Sequence, residues 1–332
     1  MKLYMKGLIV FILALAVIIP ASAVSVGTGV SIQSGGGTPP VVEAKWEQQA
    51  ITALEDGDPT HAVAGFQILP PCTFGGKKLI EYYAVVYDEE DNGGVKLAFA
   101  DVFHPDGTFK YQVNFAKVVP QSTGISKYNA ALAAGLVKVG TGKTAAEVLT
   151  DLEKGTAAVW RGEAYIDYCQ MDGDYSVLVQ AIDQNDNYSP VLTNTFLYVP
   201  VACGEFDFTQ VDYGSVAINR PVWRAGDIVF GTADKPTVRN IGNTKIQIKI
   251  NQSDMGFGQD VTGAWMVQFD ARLGNTGSEP IYDPFTEITL PDVLDRSRLE
   301  ELDFSIHVLK GTGAHSGDMT LGVVKAGASN EG

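Results

Sequence analysis

Apolar and polar positions alternate with a period of two over much of this chain, the pattern of half-buried β-strands. Ile80, Tyr82, Ala84 and Val86 alternate with Glu81, Tyr83 and Val85. After an acidic turn at residues 88–94 the alternation resumes at Val95, Leu97 and Phe99. Pro105-Asp106-Gly107 separates Phe103 from Phe109-Lys110-Tyr111-Gln112-Val113 and predicts a hairpin. Tyr175, Val177, Val179 and Ala181 mark a further strand, and residues 195–199 another. Beyond residue 201, Ile246, Ile248 and Ile250 alternate with Lys245, Gln247 and Lys249. Trp265/Val267/Phe269, Leu302/Phe304/Ile306/Val308 and Met319/Leu321/Val323 repeat the theme.

Two stretches depart from it. Residues 122–165 read as a helical insertion, with short helices at residues 130–134 and 145–154. Thr144 and Glu147 have the spacing of a capping box that starts the second helix. Residues 24–60 read as a flexible leader, rich in Val, Ser and Gly as far as Gly35-Gly36-Gly37-Thr38-Pro39-Pro40. Within it Trp46, Ala50 and Leu54 recur at helical spacing, yet Asp56-Gly57-Asp58-Pro59 is a turn, so residues 41–60 read equally as a short helix or an extended segment. Many short alternating strands with frequent turns predict an all-β fold. The expectation is two immunoglobulin-like β-sandwich domains in tandem, residues 61–200 with the insertion and residues 201–326.

Composition narrows the function classes. The 332 residues are enough for two cores, and 45% hydrophobic against 19% charged residues excludes a disordered chain or a coiled coil. A formal charge of −15 repels phosphate backbones, so nucleic acid is not expected as a partner. Lys2 and Lys6 precede an apolar run at residues 7–19 and the small-residue stretch Pro20-Ala21-Ser22-Ala23, which reads as a secretory signal peptide over residues 1–23. Its removal deepens the negative charge by two lysines. No second apolar run has membrane-spanning length, so the expected location is extracellular, at the cell surface, with no membrane span after signal cleavage.

Candidate chemistry is sparse. Gly140-Thr141-Gly142-Lys143-Thr144 has the tail of a phosphate-binding loop, but the required first glycine is replaced by Val137, and the capping box accounts for Thr144. Asp183-Gln184-Asn185-Asp186-Asn187 has the oxygen-rich spacing of a calcium linker, with Asp88 and Asp91 as further weak ligand candidates beside Asp183, Asn185 and Asp186. The same residues suit a solvated hairpin turn, and no cofactor other than calcium suggests itself. His61, His104, His307 and His315 show no metal spacing, and His307 is expected to face solvent. No nucleophile elbow or paired-carboxylate site stands out, so no catalytic residue is assigned and the chain is not expected to be an enzyme. Asn187 and Asn251 lie in glycosylation sequons. The three cysteines, Cys72, Cys169 and Cys203, fall near one pole of an immunoglobulin-like sandwich. The expected pairing is Cys169 with Cys203, leaving Cys72 for an intermolecular bridge.

Several stretches stand out: Trp46-Glu47-Gln48 with Leu54-Glu55-Asp56-Gly57-Asp58-Pro59, Tyr83-Ala84-Val85-Val86, and Asp101-Val102-Phe103-His104-Pro105-Asp106-Gly107. In the second half they are Asp212-Tyr213-Gly214-Ser215-Val216, residues 231–244 and Leu302-Asp303-Phe304-Ser305-Ile306-His307-Val308. Together these stretches resemble secreted cell-surface and sheath proteins of methanogenic archaea. The resemblance implies a structural subunit whose partner is itself, packed by β-pairing into homo-oligomeric hoops, sheets or a tube with covalent cross-links, and it brings no catalytic residues. A calcium-dependent adhesin or binding module is the second class. Residues 82–87 and 95–100 are β-prone and charge-poor; they are either edge strands that template pairing with a neighbour or central strands.

Overall fold

The computed structural model describes residues 37–49, 66–89, 94–232, 234–275 and 277–327. In chain order the first half carries β1 (Val41–Gln49), β2 (Phe66–Ile68), β3 (Lys77–Tyr87), β4 (Val95–Phe103), β5 (Phe109–Lys117), α1 (Gln121–Ala133), β6 (Lys138–Val139), α2 (Ala145–Lys154), β7 (Ala157–Asp167), β8 (Gly173–Asp183) and β9 (Leu192–Tyr198). The second half carries β10 (Gly204–Phe206), β11 (Val222–Arg224), β12 (Thr237–Asn240), β13 (Ile246–Gln252), β14 (Val267–Leu273), β15 (Ile281–Tyr282), β16 (Ile288–Thr289), β17 (Leu299–Val308) and β18 (Met319–Lys325). The described chain from Gly37 onward falls within one compact unit.

The first nine strands follow the order β2-β9-β8-β4-β5-β7-β3-β1-β6. Only the last two residues of β5, Ala116 and Lys117, pair with β7, so β5 turns the corner between two facing sheets. Ile80, Tyr82, Ala84 and Val86 of β3 enter the same core as Tyr175, Val177, Val179 and Ala181 of β8. The opposite face of β3, with Tyr83 and Val85, is also buried, because α1 and α2 lie over it through Tyr128, Val148 and Leu152. Trp46 of β1 stacks on Tyr83 with ring centroids 4.8 Å apart and meets Tyr128 edge-on at 6.0 Å. Thr144 and Glu147 form the reciprocal capping box of α2, and Gly155 ends that helix in the left-handed region at φ 80°.

In the second half, β10-β12-β17-β14-β15 form one sheet, with β11 also on β17, and β16-β13-β18 form the facing sheet. Ile246, Ile248 and Ile250 of β13 meet Phe269, Phe304 and Ile306 in a separate core. Each half is thus a β-sandwich around its own core.

Several side chains lock the halves together. Cys72 is bonded to Cys203. Asn243 accepts from Val201 N at 2.7 Å and donates to Val199 O at 2.9 Å, holding the connecting segment at both ends. Tyr168 Oη meets Ser297 Oγ at 3.0 Å.

Four expectations change here. Residues 41–49, assigned to the leader, form β1, pinned between β3 and β6 with Trp46 fully buried. The helical insertion ends before residue 157, since β7 is a central strand paired to β3 along its whole length. Residues 82–87 and 95–100 are central, flanked by β1 and β7 and by β5 and β8, so neither is an edge. The disulfide joins Cys72 to Cys203 and leaves Cys169 free, because the loop before β3 meets the chain just before β10.

Candidate functional site

Among the described residues, the longest strand that ends a sheet is β18 of the second sandwich, at 7 residues. Among the described residues strand β18 pairs with β13 on one side only, from Ile246 opposite Lys325 to Gln252 opposite Met319. The flanking bonds, Ala326 N to Lys245 O at 2.9 Å and Ser253 N to Asp318 O at 2.9 Å, set the phase of the ladder. They turn the backbone groups of the even-numbered residues toward β13 and those of Met319, Leu321 and Val323 toward the open side. The side chains of these same three residues pack against the core yet are only half-buried.

Beside this edge opens a cavity of about 1200 Å³, between the irregular segment at residues 206–218 and the loop at residues 311–318. Ile306 and Val308 of β17 line it together with Phe208, Met255, Met319 and Leu321. Its rim is shaped by close backbone packing. A side chain at Gly317 would meet Ser253 Oγ at 2.2 Å, and Gly311, at φ 147°, leaves room for Phe257, on which His315 stacks at 3.8 Å. Asp254 caps the neighbouring turn through Gly256 N and Gly258 N, both at 2.9 Å. Tyr213 closes one wall, and burial pushes its hydroxyl up to about 12, so it stays a neutral hydrogen-bond partner of Gln252. An apolar floor beside an unpaired backbone edge is suited to an extended chain.

The residues singled out from sequence are dispersed. Asp183 serves its own turn: Oδ1 accepts from Asn185 N and Asn187 N, each at 2.8 Å, and Oδ2 accepts from Asn187 Nδ2 at 2.8 Å. Burial pushes its carboxyl up, but these bonds outweigh it and hold the group below the ordinary carboxylate range. Asp186 pairs with Lys96 at 2.6 Å. Asp88 is buried at the end of β3, and Asp91 lies outside the described residues. Among the described residues no cluster of three or more His, Cys, Asp or Glu is placed to hold a metal ion. Asn187 is buried with its amide committed to Asp183, so its sequon nitrogen faces inward, whereas Asn251 is half-buried on β13 opposite Thr320.

His307 alternates outward and is half-buried, and its Nε2 contacts Asp270 Oδ2 on the adjacent strand β14. Residues 1–36, which hold the expected signal peptide and part of the expected leader, and His61 lie outside the described residues. Among the described residues no helix is long and apolar enough to cross a membrane.

One polar group escaped the sequence reading altogether. Lys45 and Glu47 of β1 are 0% and 1% exposed inside the first sandwich, together with Asn194 of β9. The signal was present as two charges, two residues apart, in a segment that also carries Val42, Ala44 and Trp46.

No family model matches the chain, and no curated protein matches it. Among solved structures, similarity extends to the C-terminal domain of the AgI/II polypeptide BspA of Streptococcus agalactiae, at 10% identity over 87% of this chain and 96% of that one, with a TM-score of 0.21. The C-terminal domain of the antigen I/II-family protein AspA of Streptococcus pyogenes is 12% identical over 86% of this chain and 95% of its own, with a TM-score of 0.22. The CsuC-CsuE chaperone-tip adhesion subunit complex of Acinetobacter baumannii gives 9% identity over 78% and 97%, with a TM-score of 0.28.

Proposed function

We propose that this chain is a structural, non-enzymatic subunit of an extracellular protein layer, of the kind its resemblance to methanogen surface and sheath proteins implies, and that copies join by strand addition. The observation that carries this reading is the open edge of β18 beside a cavity with Ile306, Val308, Met319 and Leu321 in its lining. A free edge over an unfilled core is a liability for a protein that stays alone. Export, read from the first 23 residues, agrees with a disulfide between the halves.

The occupant is the segment at residues 24–32 of a second copy. Its sequence alternates Val24, Val26, Thr28, Val30 and Ile32 with Ser25, Gly27, Gly29 and Ser31, and it holds no charge. Laid along β18, the first set fills the cavity and the small residues face out.

Connectivity favours a neighbour. The chain enters β1 at Val41, opposite Tyr87, at the end of β3 away from the junction, whereas Lys77 at the other end pairs with Asp167 beside Tyr168. In the second sandwich the junction lies at Ser297 and at Lys325, which faces Asp172 at 3.8 Å. The cavity opens at the other end, near Val308 and Met319. The start of β1 and the groove therefore sit at the ends of their sandwiches that face away from the junction. Each contact leaves one segment and one groove free, a head-to-tail arrangement that repeats.

The test is sedimentation and electron microscopy of the chain with and without residues 24–34. The full sequence after residue 23 assembles into ordered polymers and the shortened chain stays monomeric. A soluble monomer from both overturns the reading.

A further inference from the structure

The group inside the first sandwich has the composition and contacts of a reaction site. Lys45 reaches in from β1, the first strand of that sandwich, and its Nζ lies 2.7 Å from Val177 O and 2.8 Å from Glu47 Oε1. The same Nζ contacts the side-chain carbonyl oxygen of Asn194, on the last strand β9. Asn194 Nδ2 in turn donates to Glu47 Oε2 at 2.5 Å. An amine, a carboxamide and a carboxylate thus close on one another, with the carboxylate touching both nitrogens. Asn194 stands opposite Val177 in the ladder and shares the inward face of β9 with Phe196 and Tyr198.

This arrangement is a poor choice for stability alone. Burying a lysine and a glutamate loses more hydration than an ion pair recovers, and apolar residues of the same size would serve the core as well. It is a good choice for chemistry. Burial pushes the Lys45 ammonium down from its ordinary value, against the pull of Glu47, toward the neutral amine that a nucleophile requires. The amine is held against the amide it would attack, which supplies the proximity term without a cofactor.

We infer that Lys45 and Asn194 join in an intramolecular amide cross-link, with Glu47 as the proton carrier. The excess proton of Lys45 passes to Glu47, and the neutral Nζ attacks Cγ of Asn194, forming an Nζ–Cγ bond. The Cγ–Nδ2 bond breaks, one proton travels from Nζ through the Glu47 carboxyl to Nδ2, and ammonia leaves. Nothing is oxidised or reduced, and no co-reactant is consumed. The product ties the first strand to the last across both facing sheets. With the bond between Cys72 and Cys203, a tensile load entering at β1 would pass through Asn194 and the connecting segment to the second sandwich, bypassing the residues between. The inference stands on this cluster alone and does not depend on how copies pair.

Intact mass spectrometry of the purified full chain, with disulfides reduced, tests it. The folded protein is expected to be about 17 Da lighter than its sequence, the mass of one ammonia, and digestion yields a branched peptide joining the segments around residues 45 and 194. Glu47→Gln keeps the size of the side chain but cannot carry the proton, so it is expected to fold, by circular dichroism, at the full sequence mass. Asn194→Ala is expected to keep the full mass as well. A folded wild-type protein at the full sequence mass, with no branched peptide, overturns the inference. So does a deficit that persists in Asn194→Ala. A deficit that persists in Glu47→Gln overturns the role given to Glu47.

Discussion

Cys72 and Cys203 are covalently joined although they lie 131 residues apart, with Cα atoms 5.8 Å from each other. The bond closes a loop that contains nearly all of the first sandwich and staples it to the start of the second. Chain-entropy arguments put the stabilisation from so long a loop at about 5 kcal/mol. Cys72→Ser is therefore expected to lower the urea midpoint markedly, whereas Cys169→Ser, which removes a free thiol, leaves it nearly unchanged. Paired denaturation curves check this, and equal midpoints would contradict the assignment.

Arg239 provides a second, non-covalent staple. Its guanidinium lies 3.7 Å from the ring centre of Phe74 in the first half and 3.9 Å from that of Phe230, while Nη2 reaches Glu205 at 2.6 Å. A lysine keeps the charge but loses the planar stack between two rings. Arg239→Lys should cost about 1–2 kcal/mol in denaturant unfolding. Phe74→Ala should reduce that difference, since the two substitutions remove one interaction.

The turn at Asp183 predicts a pH response. Its folded pKa lies below the unfolded value, so the turn's contribution is fully present above the unfolded carboxylate range and is lost as pH falls through the folded pKa. Asp183→Ala leaves three donors without their acceptor and should cost about 1–3 kcal/mol at neutral pH, and less in acid. Because those oxygens already serve the turn, added calcium should not raise the melting midpoint; a rise would restore the calcium reading.

Strand addition predicts that charge in the leader blocks assembly without touching the fold. Val26→Asp with Val30→Asp places two carboxylates where an apolar floor awaits. Melting of the protomer is expected to stay unchanged while sedimentation shows loss of polymer. A polymer that survives both substitutions would point to another contact.

What the sequence disclosed follows from what is local. The alternation of Ile246, Ile248 and Ile250 shows β13, the turn at residues 105–107 shows a hairpin, and Thr144 with Glu147 shows the start of α2, because each signal resides in neighbouring residues. Strand β1 was hidden because it is covered on both faces and carries Lys45 and Glu47 inward, which erases alternation. Met319, Leu321 and Val323 announce a strand but not an edge, since edges are set by partners distant in sequence. The cysteine pairing failed for the same reason. Lys45 and Asn194, 149 residues apart, meet only through the stacking of two sheets.

The most direct test of strand addition is electron microscopy of the chain that begins at residue 24, set beside the chain that begins at residue 35, at matched concentration. A regular lattice or tube from the first and dispersed protomers from the second is the predicted result. Dispersed, folded protomers from both would contradict it.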